Sequence, residues 1–379
     1  MKVIVLGAGR VGNAIARDLA EHGGWEVSVA DRSREALGRL PGTAGLRLVE
    51  ADLSRPEIVA EAVAGHDLVV GAVPGPMGFA TLRSVIEAGV NTVDISFFEE
   101  DPFELHKLAA SRNVVAVVDC GIAPGLSNMI LGRCEATWDA VESFSCWVGG
   151  LPVVRHWPYE YRSVFSPIDV IAEYTRPARL VVNGRVVTRP ALSEVELLDL
   201  PGVGTLEAFN TDGLRTLLRT STVPTMKEKT MRYPGHAEMM RMLRDSGFFG
   251  ERPLEVGGVR LRPLDLTARL LSDAWQPAEG EEDMTVMRVE VEGTLAGAAV
   301  RHRWDLVDHY DHGRGVSSMA RTTGYTCTAA VHALASGLHN RPGVVPTEDL
   351  GRNQACFDAV ISYLAARGVV LRHSVEDAS

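Results

Sequence analysis

"MKVIVLGAGRVGNAIARDLAEHG", Met1 to Gly23, and "VSVADRS", Val27 to Ser33, decide the fold. Lys2 to Leu6 is a short apolar run, Gly7, Gly9 and Gly12 punctuate the next stretch, and apolar residues recur at helical spacing from Val11 to Ala20. This is a strand, a tight turn and a helix. In such a unit Gly7 makes the turn, Gly9 lets the backbone approach a pyrophosphate, and Gly12 lets the helix pack closely on the strand. The helix N-terminus, with Arg10 and Val11 in its first turn, presents free N–H groups to the anion. A bare G-x-G-x-x-G is weak evidence, and glycines that serve only a turn are the alternative. Here a second strand, Glu26 to Ala30, ends at Asp31, the distance expected of an acid that binds the adenosine ribose. A carboxylate there repels a 2′-phosphate and predicts NAD. Arg32 and Arg34 come directly after it and would pair with such a phosphate, which keeps NADP open.

The alternation continues. Leu46 to Glu50, Leu68 to Ala72, Val90 to Asp94 and Val114 to Val118 read as strands, with helical patterns at Pro56 to Ala64 and Phe79 to Ala88. The fold class expected is α/β, a Rossmann-type doubly wound parallel sheet, with ligands at the carboxyl ends of its strands. Those ends add Asp52, Ala72, Val73, Pro74 and Asp94 to the expected cofactor residues Gly7, Gly9, Arg10, Val11, Gly12, Asp31 and Arg32. They also carry "DCGIAPGLSN", Asp119 to Asn128. Beyond Asn128 the alternation stops. Val141 to Val148, Arg179 to Val187 with its "NGR" turn, and Val286 to Leu295 predict a second α+β domain on a largely antiparallel sheet with one wet face. Helical patterns return at Ala329 to Leu338 and Gln354 to Arg367, ahead of a short "VVLRH". The expected domains are 1–121 for the dinucleotide, 122–322 for substrate and oligomerisation, and 323–379 returning to the first.

A net charge of -11 over 379 residues argues against a nucleic-acid surface, which needs clustered Lys and Arg. The five cysteines, Cys120, Cys134, Cys146, Cys327 and Cys356, lack the close pairing of zinc sites or disulfide frameworks, so buried reduced thiols and no metal are expected. No apolar run reaches the roughly 20 residues that span a bilayer, and Met1 leads straight into a strand pattern. No membrane partner and a cytoplasmic location are expected.

At "VVDCGIAPGLSN", "GGLP", "YRSVFSPIDVIAEYTRPAR", "EAFNTDGLRTLL", "KEKTMRYPGH" and "TTGYTCTAA" the chain resembles the saccharopine dehydrogenase-like family, and within it the lysine 6-dehydrogenases. The resemblance spans nearly the whole chain. It implies NAD-dependent oxidation of L-lysine at its ε-amine, with release of ammonia and formation of 2-aminoadipate 6-semialdehyde, which cyclises to piperideine-6-carboxylate. It also implies a homodimer or higher homo-oligomer joined through the second domain's sheet, in line with the prevalence of closed symmetry. Saccharopine-forming reductases carry an acid in the segment that here reads "GIAPG", where Ala123 stands, so saccharopine itself is disfavoured.

The chemistry has its own requirements. Hydride leaves a carbon bearing nitrogen only when the nitrogen has a lone pair, so a base must first take a proton from the ammonium. Asp119, Cys120, Lys229 and His236 are the expected proton-transfer groups, with Lys227 a further one. Against them stand a space-filling buried Cys, a solvated charge run around Glu228 and a structural His. An α-carboxylate calls for a guanidinium, from Arg162, Arg176 or Arg232. An α-ammonium calls for an acid, from Asp169, Glu173 or Asp212. Tyr161, and Tyr159 beside it, line the pocket or pack as core aromatics. The substrate residues expected are thus Tyr161, Arg162, Asp169, Asp212 and Arg232. A saccharopine reductase-like or carboxynorspermidine dehydrogenase-like C–N oxidoreductase is the rival activity, and a protein that senses NAD without turnover is the rival class.

Overall fold

The computed structural model describes residues 1–22, 24–40 and 45–377 and divides the chain into two compact units, residues 1–137 with 320–370 and residues 138–319 with the C-terminal segment from 371. The first unit holds a seven-stranded, all-parallel sheet. Its order runs Gly343–Pro346, Val115–Val118, Asn91–Asp94, Leu68–Gly71, Lys2–Leu6, Glu26–Asp31, Leu46–Glu50. Val3, Ile4, Val5 and Leu6 are all fully buried, as expected of a central parallel strand covered on both faces, where β-branched residues pack well. Each such side chain contributes about 1.5–3 kcal/mol through its burial. The strand order reverses direction at Lys2–Leu6, the switch point where doubly wound sheets bind ligands.

Two boundaries differ from expectation. The first unit extends to Thr137, because the helix Leu126–Thr137 packs on Thr347–Arg352 through glycines. A Cβ on Gly132 would overlap the Glu348 carbonyl, one on Gly351 the Met129 carbonyl, and Asn128 Nδ2 donates to Glu348 Oε2 at 3.3 Å. The chain from Ala320 to Val370 is pinned to this unit by a buried cluster. Arg367 Nε donates to Asp18 Oδ1 at 2.6 Å, while Tyr363 and Thr328 hydroxyls donate to Oδ2. The last strand, Arg372–Asp377, instead pairs with Ala298–His309 of the second unit, so the C-terminal segment is shared between the units. Residues 378–379 of the expected C-terminal region lie outside the described residues.

The second unit is built on a nine-stranded sheet. Its main path runs Glu196–Leu200, Gly204–Asn210, Thr225–Arg232, Ala140–Pro152, Asp283–Leu295, Ala298–His309, Arg372–Asp377. Every pairing is antiparallel except Thr225–Arg232 with Ala140–Pro152, which is parallel. The stretch from Arg179 to Val187, with its expected "NGR" turn, is a hairpin, Ala178–Val182 and Arg185–Arg189. Asn183 and Gly184 both take positive φ, +49° and +75°, at its two-residue turn. Along Asp283–Leu295 the expected alternation holds. Val289 and Val291 are buried, while Arg288, Glu290 and Glu292 form a ladder with Asp305, Arg303 and Arg301. Helices Pro167–Thr175, His236–Asp245 and Pro263–Trp275 bury Tyr161, Tyr174, Phe209, Met240 and Trp275 in one cluster on the opposite face. Among the described residues no helix is long and apolar enough to cross a membrane.

Candidate functional site

In the first unit the three glycines have three separate physical reasons. Gly7 has φ +112°, and a Cβ there would overlap the Ala72 carbonyl. A Cβ on Gly12 would overlap the Gly7 carbonyl, because the helix Arg10–His22 starts directly against the turn. Gly9 is different. A Cβ on it would meet nothing within 4 Å, and its φ is not positive, so the protein itself gives no cause for glycine there. Open space over a backbone at a helix N-terminus fits the close approach of a pyrophosphate. The residues present fit a dinucleotide on that ground.

The other expected cofactor residues fall into two groups. Asp31 Oδ2 accepts the Ala8 N–H and Oδ1 the Ser33 N–H, both at 2.8 Å, so this carboxylate ties the glycine turn to the end of its neighbouring strand. Asp52 is exposed and accepts from the Ser54 hydroxyl (2.7 Å) and N–H (3.2 Å). These contacts, with Arg32 and Arg55 nearby, hold its carboxyl below the usual range. Arg34 is paired with Glu50 at 2.5 Å. Ala72 backs Gly7, Val73 joins the core, and Pro74 stands exposed before the helix Gly75–Glu87. Asp94 leaves the expected set. It is 1% exposed, accepts the Ser96 N–H at 2.8 Å, and lies where a Cβ on Gly71 would overlap it, so it is turned into the protein.

Asp119 ends the strand Val115–Val118 at φ +54°, a backbone conformation that costs a non-glycine residue energy, and its side chain is buried. Cys120 is fully buried. Burial first, then Asp94 and Asp119, pushes its thiol far above the usual range, so it stays protonated and fills space rather than moving protons.

The second-unit candidates do not form one group, because the strand Thr225–Arg232 turns alternate side chains to opposite faces. Lys227 and Lys229 face one side. Lys229 Nζ donates to the Glu194 carbonyl at 2.6 Å and lies 3.1 Å from Glu196 Oε1. That oxygen also accepts from Trp147 Nε1 at 2.7 Å, and Lys227 sits over the Trp147 ring. Glu228, Thr230 and Arg232 face the other side, beneath the helices. Lys229 is therefore separated from the Arg232 cluster by the sheet and is tied into a structural network.

On the helix side, Arg232 donates from NH2 to Glu173 Oε2 at 3.0 Å and to the Tyr161 hydroxyl at 3.3 Å, and from NH1 to the Met231 carbonyl. Its guanidinium stacks 4.4 Å above the Tyr161 ring. His236 begins its helix after Gly235, whose φ of +99° makes the turn. Glu207 caps this helix end by accepting the Gly235 and Ala237 N–H groups. The ring of His236 is buried, with Nδ1 3.1 Å from the Tyr159 carbonyl and Nε2 2.9 Å from the Tyr174 hydroxyl. Burial, then the Arg232 charge, pushes its pKa down to about 3. Nδ1 therefore donates, Nε2 accepts from Tyr174, and the neutral ring has no lone pair left for a substrate. His236 is a positioning residue and not the expected acid–base group.

Two more expected contacts are taken up by protein partners. Arg162 Nε donates to both Glu281 oxygens and NH1 to the Ala274 carbonyl, while Asp212 forms a two-point pair with Arg179 at 2.7 and 2.9 Å. Asp169 lies in the first turn of Pro167–Thr175, one turn before Glu173. Glu228, which in sequence reads as part of a charge run, is 5% exposed. Its Oε2 accepts from the Thr211 hydroxyl at 2.7 Å, which in turn lies 2.9 Å from the Thr230 hydroxyl. Burial, reinforced by Glu173 and Asp212, pushes it up to about 8 against the pull of Thr211 and the Gly213 N–H. The sequence signal for its placement is the period-two alternation of "KEKTMR", which puts Glu228 with Arg232 and apart from both lysines. Among the described residues no group of three or more His, Cys, Asp or Glu is placed to hold a metal ion.

Comparison with known proteins gives this arrangement its lineage. Residues 3–117 match the saccharopine dehydrogenase NADP binding domain, and residues 120–369 match the saccharopine dehydrogenase C-terminal domain. The chain belongs to the saccharopine dehydrogenase family. It therefore carries a pyridine-nucleotide-binding domain. It is 22% identical over 451 residues to the saccharopine dehydrogenase [NADP(+), L-glutamate-forming] of Schizosaccharomyces pombe, covering 99% of both chains. Mouse mitochondrial alpha-aminoadipic semialdehyde synthase is 26% identical over 254 residues. That match takes in 63% of this chain but only 27% of the mouse protein, so the chain spans about a quarter of that relative's length. The saccharopine dehydrogenase (L-Glu forming) of Saccharomyces cerevisiae has the same fold, with a TM-score of 0.78 at 19% identity and 99% coverage of each chain.

Proposed function

We propose that the chain is an NAD-dependent amino-acid dehydrogenase of the lysine 6-dehydrogenase type, which oxidises L-lysine at its ε-amine and releases ammonia. The observation that carries this reading is the pair formed by buried Arg232 and half-buried Glu173 beside Tyr161. A guanidinium and a carboxylate side by side complement the carboxylate and ammonium of an α-amino acid head, and the rigid fork of Arg232 fixes its orientation. Tyr161 holds the guanidinium plane from below. His236 holds the Tyr174 hydroxyl, which borders the same cluster.

Gly9, the helix end at Arg10 and Val11, and Asp31 would hold the dinucleotide. When bound, it supplies the hydride acceptor. NAD is favoured over NADP because Asp31 places a carboxylate at the ribose end of the turn and Arg34 is already paired with Glu50, leaving Arg32 as the nearer cation. The names of the yeast relatives specify NADP, and Arg32 is the residue that would serve it here. Asp119 directly follows the strand Val115–Val118, at the sheet edge where doubly wound sheets bind their ligands, which supports it as a proton-transfer group. Ala123, where saccharopine reductases carry an acid, supports lysine over saccharopine.

The test is an absorbance assay for NADH or NADPH with L-lysine, D-lysine, L-ornithine, saccharopine and spermidine. NADH formation with L-lysine, rising toward alkaline pH as the ammonium deprotonates, is expected. Turnover of saccharopine but not lysine, or a preference for NADP, overturns the reading.

A further inference from the structure

We infer that Glu228 is a specificity-determining carboxylate that receives a second ammonium of the substrate, so that the site selects diamino acids over neutral and acidic ones. The inference rests on the amino-acid site proposed above. Its basis is charge balance on the helix-covered face of the sheet. Arg232 is paired with Glu173 and Asp212 with Arg179, while Glu207 caps a helix. Glu228 has only a hydroxyl and a peptide N–H for company, and among the described residues no cationic side chain pairs with it. Its carboxyl lies flat on Gly213, where any Cβ would overlap it, so the position is built and not accidental. Cys146, in register with it on the neighbouring parallel strand, is fully buried and brings no counter-charge.

An unpaired buried carboxylate is expensive, and the free protein avoids it by keeping Glu228 protonated, consistent with a carboxyl pushed up to about 8. A zwitterionic head on Arg232 and Glu173 leaves that balance unchanged. An added ammonium alters it, because the ionised form of Glu228 then has a partner and the proton departs to solvent. An added carboxylate, such as the glutamate arm of saccharopine, would instead face Glu173, Asp212 and Glu228 together. Glu228 and Arg232 stand four residues apart on one face of a strand, about 13 Å between Cα atoms.

Calorimetric binding to the full-length protein, with NADH present to prevent turnover, tests this at about pH 7 in two buffers of different protonation enthalpy. L-lysine and L-norleucine, which lacks only the ε-amine, are the probes. Release of about one proton per lysine and none per norleucine is expected. Glu228→Gln should weaken lysine about 30-fold or more, leave norleucine unchanged and abolish the proton release. Lysine binding without proton release, or equal losses of both ligands in the variant, overturns the inference while leaving the lysine activity standing. Binding of saccharopine but of neither probe overturns both. If the Gln variant does not fold, the two-buffer measurement on the unaltered protein decides alone.

Discussion

The two candidate sites are built in opposite ways. The nucleotide turn is local, since Gly7, Gly9, Gly12 and Asp31 lie within 25 residues and act through backbone geometry. The proposed amino-acid site would gather Tyr161, Glu173, Thr211, Glu228, Arg232 and His236 from strands, helices and a loop, and would act through side-chain charge. A local site is legible as a spacing. A dispersed one depends on which way each strand residue points.

The sharpest way to break this contrast is at the strand Thr225–Arg232. Arg232→Ala should lower kcat/KM for the amino substrate by about 100-fold or more, because it strands Glu173 and removes the guanidinium fork. Lys229→Met, three residues away but on the other face, should cost less than about ten-fold. Steady-state kinetics on both variants checks this, and a larger loss at Lys229 would refute the division of the two faces.

The glycines offer the next test. Gly12→Ala forces a methyl into the Gly7 carbonyl and should destabilise the protein by about 3 kcal/mol, read as a lowered denaturation midpoint. Gly9→Ala meets only open space. Its stability should match the parent while its affinity for the dinucleotide falls about ten-fold, about 1.4 kcal/mol. Loss of stability in both variants, with no separate effect on binding, would remove Gly9 as evidence for a ligand.

The smallest effect is a pH slope. His236 is held at about 3 in the fold against an ordinary 6.5, so the unfolded chain takes up a proton that the folded one refuses. Its contribution is fully present above pH 6.5 and is lost as pH falls toward 3, by about 1.4 kcal/mol per pH unit at most. Urea unfolding at successive pH values should show a shallower acid loss for His236→Gln than for the parent. Parallel curves would mean that the ring takes up its proton equally in the folded and unfolded chain.

The first six parallel strands, the dinucleotide turn and the helices Arg10–His22 and Gln354–Ala366 were legible as periodicities, to within a residue or two at most ends. The strand Gly343–Pro346, the helix Pro167–Thr175 and the pairing of Arg372–Asp377 into the second sheet were not. Short segments carry too few repeats to reveal a period, and an edge strand is defined by its neighbour.

By itself the sequence determined that this chain builds a parallel nucleotide-binding sheet, because "GAGRVG" between an apolar run and a helical period is dictated by the sterics of one tight strand-to-helix turn. Only the tertiary structure decided which polar residues share a site. Burial and a partner's distance change what a side chain can do, and neither is written in the residue's identity. They took Cys120 and His236 out of proton transfer, put Lys229 behind the sheet, turned Asp94 inward, and left Glu228, within the same short run as Arg232, as an acid without a cation.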